Sequence, residues 1–350
     1  MRTPADDGFF MPAEWHPHSR CWMAWPVREQ VWGDGLDEAR DSYVEVAKAI
    51  ARFEQVTMIA PSEQLAEVSV EVGQGIGCLP LTISDSWTRD TGPTFLVNGD
   101  GALAGVDWRF NAWGGLYPDH QADAALAENL LNYLDVARFE APLVTEGGAL
   151  HSDGAGTLLA VEATLVNENR NPGRSRDEIE ALLKAYTGAK TVIWLPEGLV
   201  DDDTDGHVDN IACFAAPGRV VTLAPGDEGD ENHARLLRNL EVLRGATDAE
   251  GRRLEIAELP LPKPRKNADG SRLTLSYVNF YLPNGGVVLP AFDDPADDRA
   301  LEILEDCFPD RELVQIPVLP ILRGGGGIHC ITQQQPDALA KGTDGNSSAS

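Results

Sequence analysis

The sequence is poor in basic residues, has no closely spaced cysteine pair, and contains no long apolar run. Its 28 lysines and arginines face 56 aspartates and glutamates, a formal charge of -28. Such a field repels phosphate backbones and anionic membrane surfaces, so neither nucleic acid nor a membrane is expected as a partner. The same field draws in a small cation, although most of these carboxylates read as a solvated surface serving solubility. Five cysteines (Cys21, Cys78, Cys213, Cys307, Cys330) form an odd, scattered set, which argues against a disulfide framework or structural zinc site and for a reducing cytoplasm. The N-terminal MRTPADDGFFMPAEWHPHS lacks the apolar stretch of a signal peptide, and no segment approaches a membrane span. A soluble, cytoplasmic protein is the expectation.

What is present suits a globular chain. Hydrophobic residues make up 43% and charged residues 24% of 350 positions, enough apolar matter for one large α/β architecture. From Leu36 to Glu54, the positions Tyr43, Val46, Ala47, Ile50 and Phe53 recur at helical spacing. A short apolar strand is expected at Val56 to Ala60, a polar helix at Ser62 to Glu71 and a strand at Leu79 to Ser84. Further helices are expected at Ala122 to Leu134, Ser175 to Tyr186, Glu231 to Leu243 and Pro295 to Cys307, each flanked by β-rich, Gly- or Pro-punctuated runs. This periodicity gives about five helix-plus-strands units. Lys341 to Ser350 has the Gly/Ser/Asn/Asp composition of a disordered tail.

Four polar clusters interrupt the apolar pattern. In Ser86 to Pro93, Asp90 follows Trp87 by three residues at a Gly-Pro turn, where a carboxylate and an aromatic face can meet one cation. The bland alternative is that Asp90 pairs with Arg89 or caps the turn. Glu146 precedes Gly147 and Gly148, glycines that let a ligand or a second backbone come close. In Asp201 to Asn210, a strand would put His207 and Asp209 on one face; a solvated edge strand is the competing reading. In Gly324 to Gln333, four glycines lead to Ile328, His329 and Cys330 and are expected to deliver the cysteine into a strand. A lone cysteine is usually inert core, but the oligoglycine and the polar pair His329 and Thr332 favour a thiol that meets a ligand.

In this order the clusters resemble those of the agmatine deiminases, a branch of the guanidine-modifying superfamily that also holds arginine deiminases, amidinotransferases and peptidylarginine deiminases. The likeness spans nearly the whole chain, from Met11-Pro12-Ala13-Glu14-Trp15-His16-Pro17-His18 through Phe110-Asn111-Ala112-Trp113-Gly114-Gly115, Asn169-Arg170-Asn171-Pro172 and Asn279-Phe280-Tyr281 to Ile328-His329-Cys330-Ile331-Thr332-Gln333-Gln334-Gln335-Pro336. The resemblance implies a pentein-type, five-bladed α/β-propeller of ββαβ units around a central pocket, in one catalytic domain over 1–336 with a flexible tail over 337–350, and a homodimer. It implies hydrolysis of agmatine, a small cationic guanidine, to N-carbamoylputrescine and ammonia through an amidino-cysteine, without a metal or other cofactor. By position, Cys330 is then the nucleophile and His207 the general acid/base. Asp90 and Asp209 are the guanidinium-holding carboxylates, Glu146 a further active-site acid, Trp87 a wall of the substrate slot and Asp203 a substrate-contacting acid. Gly327 departs from the family, which has Asn there.

Three alternatives accompany this reading. An arginine or peptidylarginine deiminase of the same superfamily would share the chemistry. Asp205-Gly206-His207-Val208-Asp209 also fits the D-x-H-x-D pattern of manganese ureohydrolases, but their other acid-rich metal motifs are missing from the sequence. A polyamine-binding protein would need the carboxylates and aromatics but not Cys330 and His207 together.

Overall fold

The computed structural model describes residues 2–267 and 270–340; the expected tail from Lys341 to Ser350 lies outside the described residues. The stretch after Leu36 folds as the helix Leu36–Ile50, burying Tyr43, Val46, Ala47 and Ile50 and placing Asp37 and Glu38 in its first turn, where they complement the helix dipole. It ends four residues short of Glu54. Helices also form at Leu65–Val72, Leu126–Leu134, Arg176–Thr187, His233–Gly245 and Asp297–Cys307. The helix expected from Ala122 is split, with a separate turn at Gln121–Ala124.

The strands fall into five sheets built on one plan. Thr94–Asn98 and Leu103–Arg109 form an antiparallel pair, and after the helix Leu126–Leu134 the strand Ala137–Val144 returns parallel to the second. The plan recurs with Leu150–Ser152, Thr157–Val161, helix Arg176–Thr187 and Thr191–Leu195. It recurs again with Ala212–Ala216, Arg219–Leu223, helix His233–Gly245 and Glu255–Leu259. In the fourth unit a single bridge, Tyr281 to Val288, stands for the first strand before Gly286–Ala291, helix Asp297–Cys307 and Glu312–Pro317. The first three of these units are ββαβ, as the resemblance implied, and the fourth keeps only a bridge of its first strand.

The fifth unit joins the two ends of the chain. Gln333–Pro336 runs antiparallel to His18–Ala24, with Gln333 opposite Trp22, and His18–Ala24 pairs in parallel with Val56–Ala60 across the helix Leu36–Ile50. Ile76–Pro80 extends this sheet. The strand expected at Leu79 to Ser84 thus begins and ends earlier, because the N–H groups of Ser84 and Asp85 donate to Asp123 Oδ1 and leave the ladder. Residues 337–340 follow as a turn anchored by Asp337 N–H on the Pro17 carbonyl. Val56–Ala60 and Thr157–Val161 are buried at every residue. Alternate side chains point to opposite faces, so these strands are covered on both sides, as their unbroken apolar sequences require.

Among the described residues no helix is long and apolar enough to cross a membrane. The helix Arg176–Thr187 starts with a reciprocal cap: Ser175 Oγ accepts from Glu178 N–H at 3.3 Å while Glu178 Oε2 accepts from Ser175 N–H at 2.8 Å. Ser175→Ala is expected to lower the unfolding free energy by about 1 kcal/mol, the usual worth of a serine N-cap. Urea denaturation should show a lower midpoint with an unchanged slope.

Candidate active site

Loops from all five sheets meet at one centre. Asp90 sits in a one-turn helix, Thr88–Thr91, pinned by Thr88 Oγ1 donating to the Ile331 carbonyl at 2.8 Å. Arg89 points away, donating to Gln334 Oε1 at 2.7 Å and to the His329 carbonyl at 3.4 Å, so it does not pair with Asp90. Asp90 accepts instead from Trp113 Nε1 at 2.9 Å and from Gly148 N–H at 3.0 Å. A Cβ on Gly148 would lie 2.6 Å from His207 Nδ1, 2.8 Å from Asp90 Oδ1 and 2.9 Å from Asp209 Oδ2. Only glycine lets these three groups close on one point.

His207 and Asp209 do not lie on a strand. His207 precedes the 3₁₀ turn Val208–Asn210, and the strand begins only at Ala212. Thr204 Oγ1 takes the His207 N–H at 2.9 Å, an ST-type turn that competes with the ladder. Both side chains still reach the centre. His207 Nε2 lies 3.4 Å from Glu146 Oε2, and His207 Nδ1 lies 3.6 Å from Asp90 Oδ1. Glu146 therefore stands behind the ring, where the fully buried Arg170 donates to its Oε1 at 2.7 Å.

Cys330 also lies in a turn, and its strand starts at Gln333. The oligoglycine is explained by what it touches. A Cβ on Gly324 would come within 2.4 Å of the Trp32 ring and one on Gly326 within 2.5 Å of the Trp87 ring, two rings stacked at 5.6 Å. At Gly327 a Cβ would lie 2.4 Å from Asn279 Oδ1, so in this chain Asn279 fills the space beside Cys330. Asn279 Nδ2 lies 3.3 Å from Cys330 Sγ, and Asp209 Oδ2 lies 3.7 Å from it. Thr332, whose polarity favoured a ligand-facing thiol, turns its own hydroxyl to the carbonyls of Ile328 and His329.

The charges here are strongly coupled to burial. Burial pushes the Cys330 thiol up, and the carboxylates of Asp209 and Asp90 push it further. Burial also raises Asp90 to about 6; Asp209 and Glu146 add to this, while His207 and the Trp113 N–H oppose it. For His207 burial favours the neutral ring, yet Asp90, Glu146 and Asp209 together outweigh it and raise the ring to about 9. Burial works against the Glu146 carboxylate too, but Arg170 and His207 hold it below its ordinary value. Asp209 is likewise held down, against burial, by His329, His207 and Arg89.

The thiol opens on a cleft walled by Trp87, Asp90, Trp113, Leu116, Tyr117, Asp203 and Thr204. Asp203 is exposed at its rim. The neighbouring acids have other duties: Asp201 accepts from Arg272 N–H, Asp202 from Thr204 and Asn210, and Asp205 from Asn169 and Arg170. With Asp205 committed to Arg170, the three donors of the D-x-H-x-D string do not converge. Among the described residues no group of three His, Cys, Asp or Glu side chains is placed to hold a metal ion.

Several residues that shape the site had no role assigned from sequence. Ala112 and Trp113 adopt φ of 57° and 52°, and Gly114 and Gly115 continue with 88° and 95°. This single left-handed turn costs about 1–2 kcal/mol at each non-glycine residue and aims Trp113 at Asp90. Trp113, Arg170 and Asn279 lie in the strings that carried the resemblance, which were the only signal available for them. Tyr117 had none.

Residues 10–336 match the family model described as Porphyromonas-type peptidyl-arginine deiminase. A Legionella pneumophila protein is 50% identical over 337 residues, covering 95% of this chain and 97% of its own. The agmatine deiminase of Stutzerimonas stutzeri is 46% identical over 358 residues, again covering 95% and 97%. The solved agmatine deiminase of Enterococcus faecalis superposes with a TM-score of 0.93 at 35% identity, over 97% of this chain and 99% of that one. The matched span takes in every loop that builds the centre, and the chain belongs to the Porphyromonas-type peptidyl-arginine deiminase family.

Proposed function

We propose that this protein is an agmatine deiminase, hydrolysing agmatine to N-carbamoylputrescine and ammonia. The observation that carries the reading is a buried thiol facing two carboxylates, Asp90 and Asp209, in a cleft whose walls include no basic residue. The names of the relatives support the same substrate. The reading extends to one catalytic domain over 1–336 and to a homodimer working in the cytoplasm, supported by the family resemblance and by five free cysteines.

A guanidinium is cationic at any ordinary pH and resists attack at carbon. Asp90 and Asp209 would grip its N–H groups by charge-assisted bonds and hold the carbon near Cys330 Sγ. The bound cation offsets the two carboxylates that keep the thiol protonated, so on binding the thiol gives up its proton to solvent and the thiolate attacks the guanidinium carbon. The tetrahedral adduct loses ammonia once a terminal nitrogen takes a proton from His207, whose Nδ1 has no hydrogen-bond partner among the described residues. The neutral ring then removes a proton from water as it attacks the amidino-cysteine, and collapse releases the thiolate and the ureido product. Glu146 orients the ring through Nε2. Trp87 and Asp203 would flank the aliphatic chain and terminal ammonium.

Agmatine should therefore give N-carbamoylputrescine and ammonia, read by mass spectrometry, with Cys330→Ala inactive and activity retained after exhaustive chelation. Urea as the main product would sink the thiol route.

The pH dependence follows from two groups. Asp90 must be ionised, so kcat/KM should fall as pH drops through about 6. His207 must be protonated, so it should fall again as pH rises through about 9. A rate profile flat between pH 5 and 10 would contradict both roles.

Agmatine should be preferred to arginine by about a thousandfold in kcat/KM, because an α-carboxylate left unpaired near Asp203 costs several kcal/mol. The bases that could have rescued it are engaged or outside: Arg170 is bonded to Glu146 and Asp205, Arg323 pairs with Glu38, and Arg109 is exposed outside the cleft lining. Rates for the two substrates at equal ionic strength check this, and parity within tenfold would point to an arginine-type enzyme.

A further inference from the structure

Glu14 and His329 have no part in the scheme above, although each sits in a string that the sequence singled out. The fold brings them together across 315 positions of chain: His329 Nε2 lies 3.1 Å from Glu14 Oε2, and His329 Nδ1 lies 2.8 Å from Asp209 Oδ2. A ring with a carboxylate at each nitrogen is best satisfied by donating from both, which only the imidazolium can do. Glu14 is fixed in turn. Its Oε1 accepts from Leu282 N–H at 2.9 Å, and its Oε2 lies 3.5 Å from His151 Nε2. His151 Nδ1 accepts from Phe214 N–H at 3.2 Å, so that ring carries its proton on Nε2 and turns it toward Glu14. All four residues are at most 4% exposed. Asp209, His329, Glu14 and His151 thus form a buried row of alternating acids and rings, beginning beside the thiol.

We propose that His329 and Glu14 are positioning residues: Glu14 keeps His329 charged, and the charged ring fixes Asp209 by Oδ2 so that Oδ1 is left to hold the substrate cation. The proposal rests on the reading of Asp209 as a guanidinium-holding carboxylate. Asp209 Oδ1 is buried without a hydrogen-bond partner among the described residues, as this division of labour requires. The surroundings agree. Burial disfavours charge on Glu14, yet His329 and His151 hold it well below its ordinary value. Burial and Arg89 both disfavour a charged His329, and Glu14 and Asp209 outweigh them, leaving it raised. On its other side Asp209 faces His207, Asp90 and Cys330, while Arg311 and Cys213 lie in the field of Glu14. Of all these groups, only Glu14 and Asp209 are within hydrogen-bond reach of the His329 ring. A raised histidine keeps its proton above its usual range near 6.5, and a depressed aspartate keeps its charge below the usual value near 3.9, so the pair stays ionised between them.

Ring-nitrogen NMR of the full chain, with His329→Asn identifying the signal, tests the charge. The expected result is a doubly protonated His329 at pH 7.5 and a lower midpoint for its proton loss in Glu14→Gln, which keeps the bond to Leu282. A neutral ring at pH 7.5 overturns the proposal whatever the protein turns over. Kinetics test the consequence. His329→Asn can still offer an N–H to Asp209 but no charge, so Asp209 should titrate beside Asp90. The acid limb of kcat/KM for agmatine should then steepen toward two protons, with a larger loss at pH 6 than at pH 8. An equal loss at all pH values would mean a merely structural role. Wild-type protein inert toward agmatine yet carrying the charged ring would overturn the substrate reading and leave the ring's charge standing.

Discussion

Carboxylates buried side by side repel, and in apolar surroundings each would sooner take a proton than keep its charge. Asp90 and Asp209 close on a point beside Gly148, with Glu146 behind the histidine ring between them, and every other feature of the centre answers that cost. Arg170 stands behind Glu146, His329 behind Asp209, and His207 lies among all three acids. Asp90 alone is held by neutral donors, Trp113 and Gly148, and it is the one whose carboxyl rises to about 6. Burial and the two carboxylates nearest the thiol, Asp209 and Asp90, raise its hold on a proton, and a cation bound between them would offset their share of that effect.

No single loop could set this geometry. Asp90, Glu146, His207, Asn279 and Cys330 come from five separate connections, each anchored by a sheet of the same ββαβ plan. Backbone freedom is spent where these connections crowd together. The left-handed turn at 112–115 and the glycines at 324–327 cost conformational energy, and both press an indole or an amide against a reacting group.

The helices were legible because their apolar spacing is local: Tyr43, Val46, Ala47 and Ile50 point to one face whatever surrounds them. The strand ends were not. Asp123, some 38 residues further on, takes the amides that would have prolonged the strand at Ile76–Pro80, and Thr204 turns His207 out of the ladder. At the centre, the clusters and the resemblance they carry singled out Cys330, His207, Asp90 and Asp209, which the fold brings together. They could not place Glu146 behind the ring, assign Arg170 to it, or pair Glu14 with His329, since a partner across the ring leaves no trace in spacing.

The sheet that joins the two ends of the chain ties the centre to the timing of synthesis. Cys330 lies just before the closing strand Gln333–Pro336, whose partner His18–Ala24 is made long before it. During translation the units before it can fold as they emerge, but the unit that seats Cys330 waits for Gln333–Pro336. A nascent chain on the ribosome, or one cut short before residue 333, holds most of the carboxylates and lacks the means to use them. In such fragments Cys330 has no closing strand to hold it, and the centre takes shape only once Gln333–Pro336 has been added.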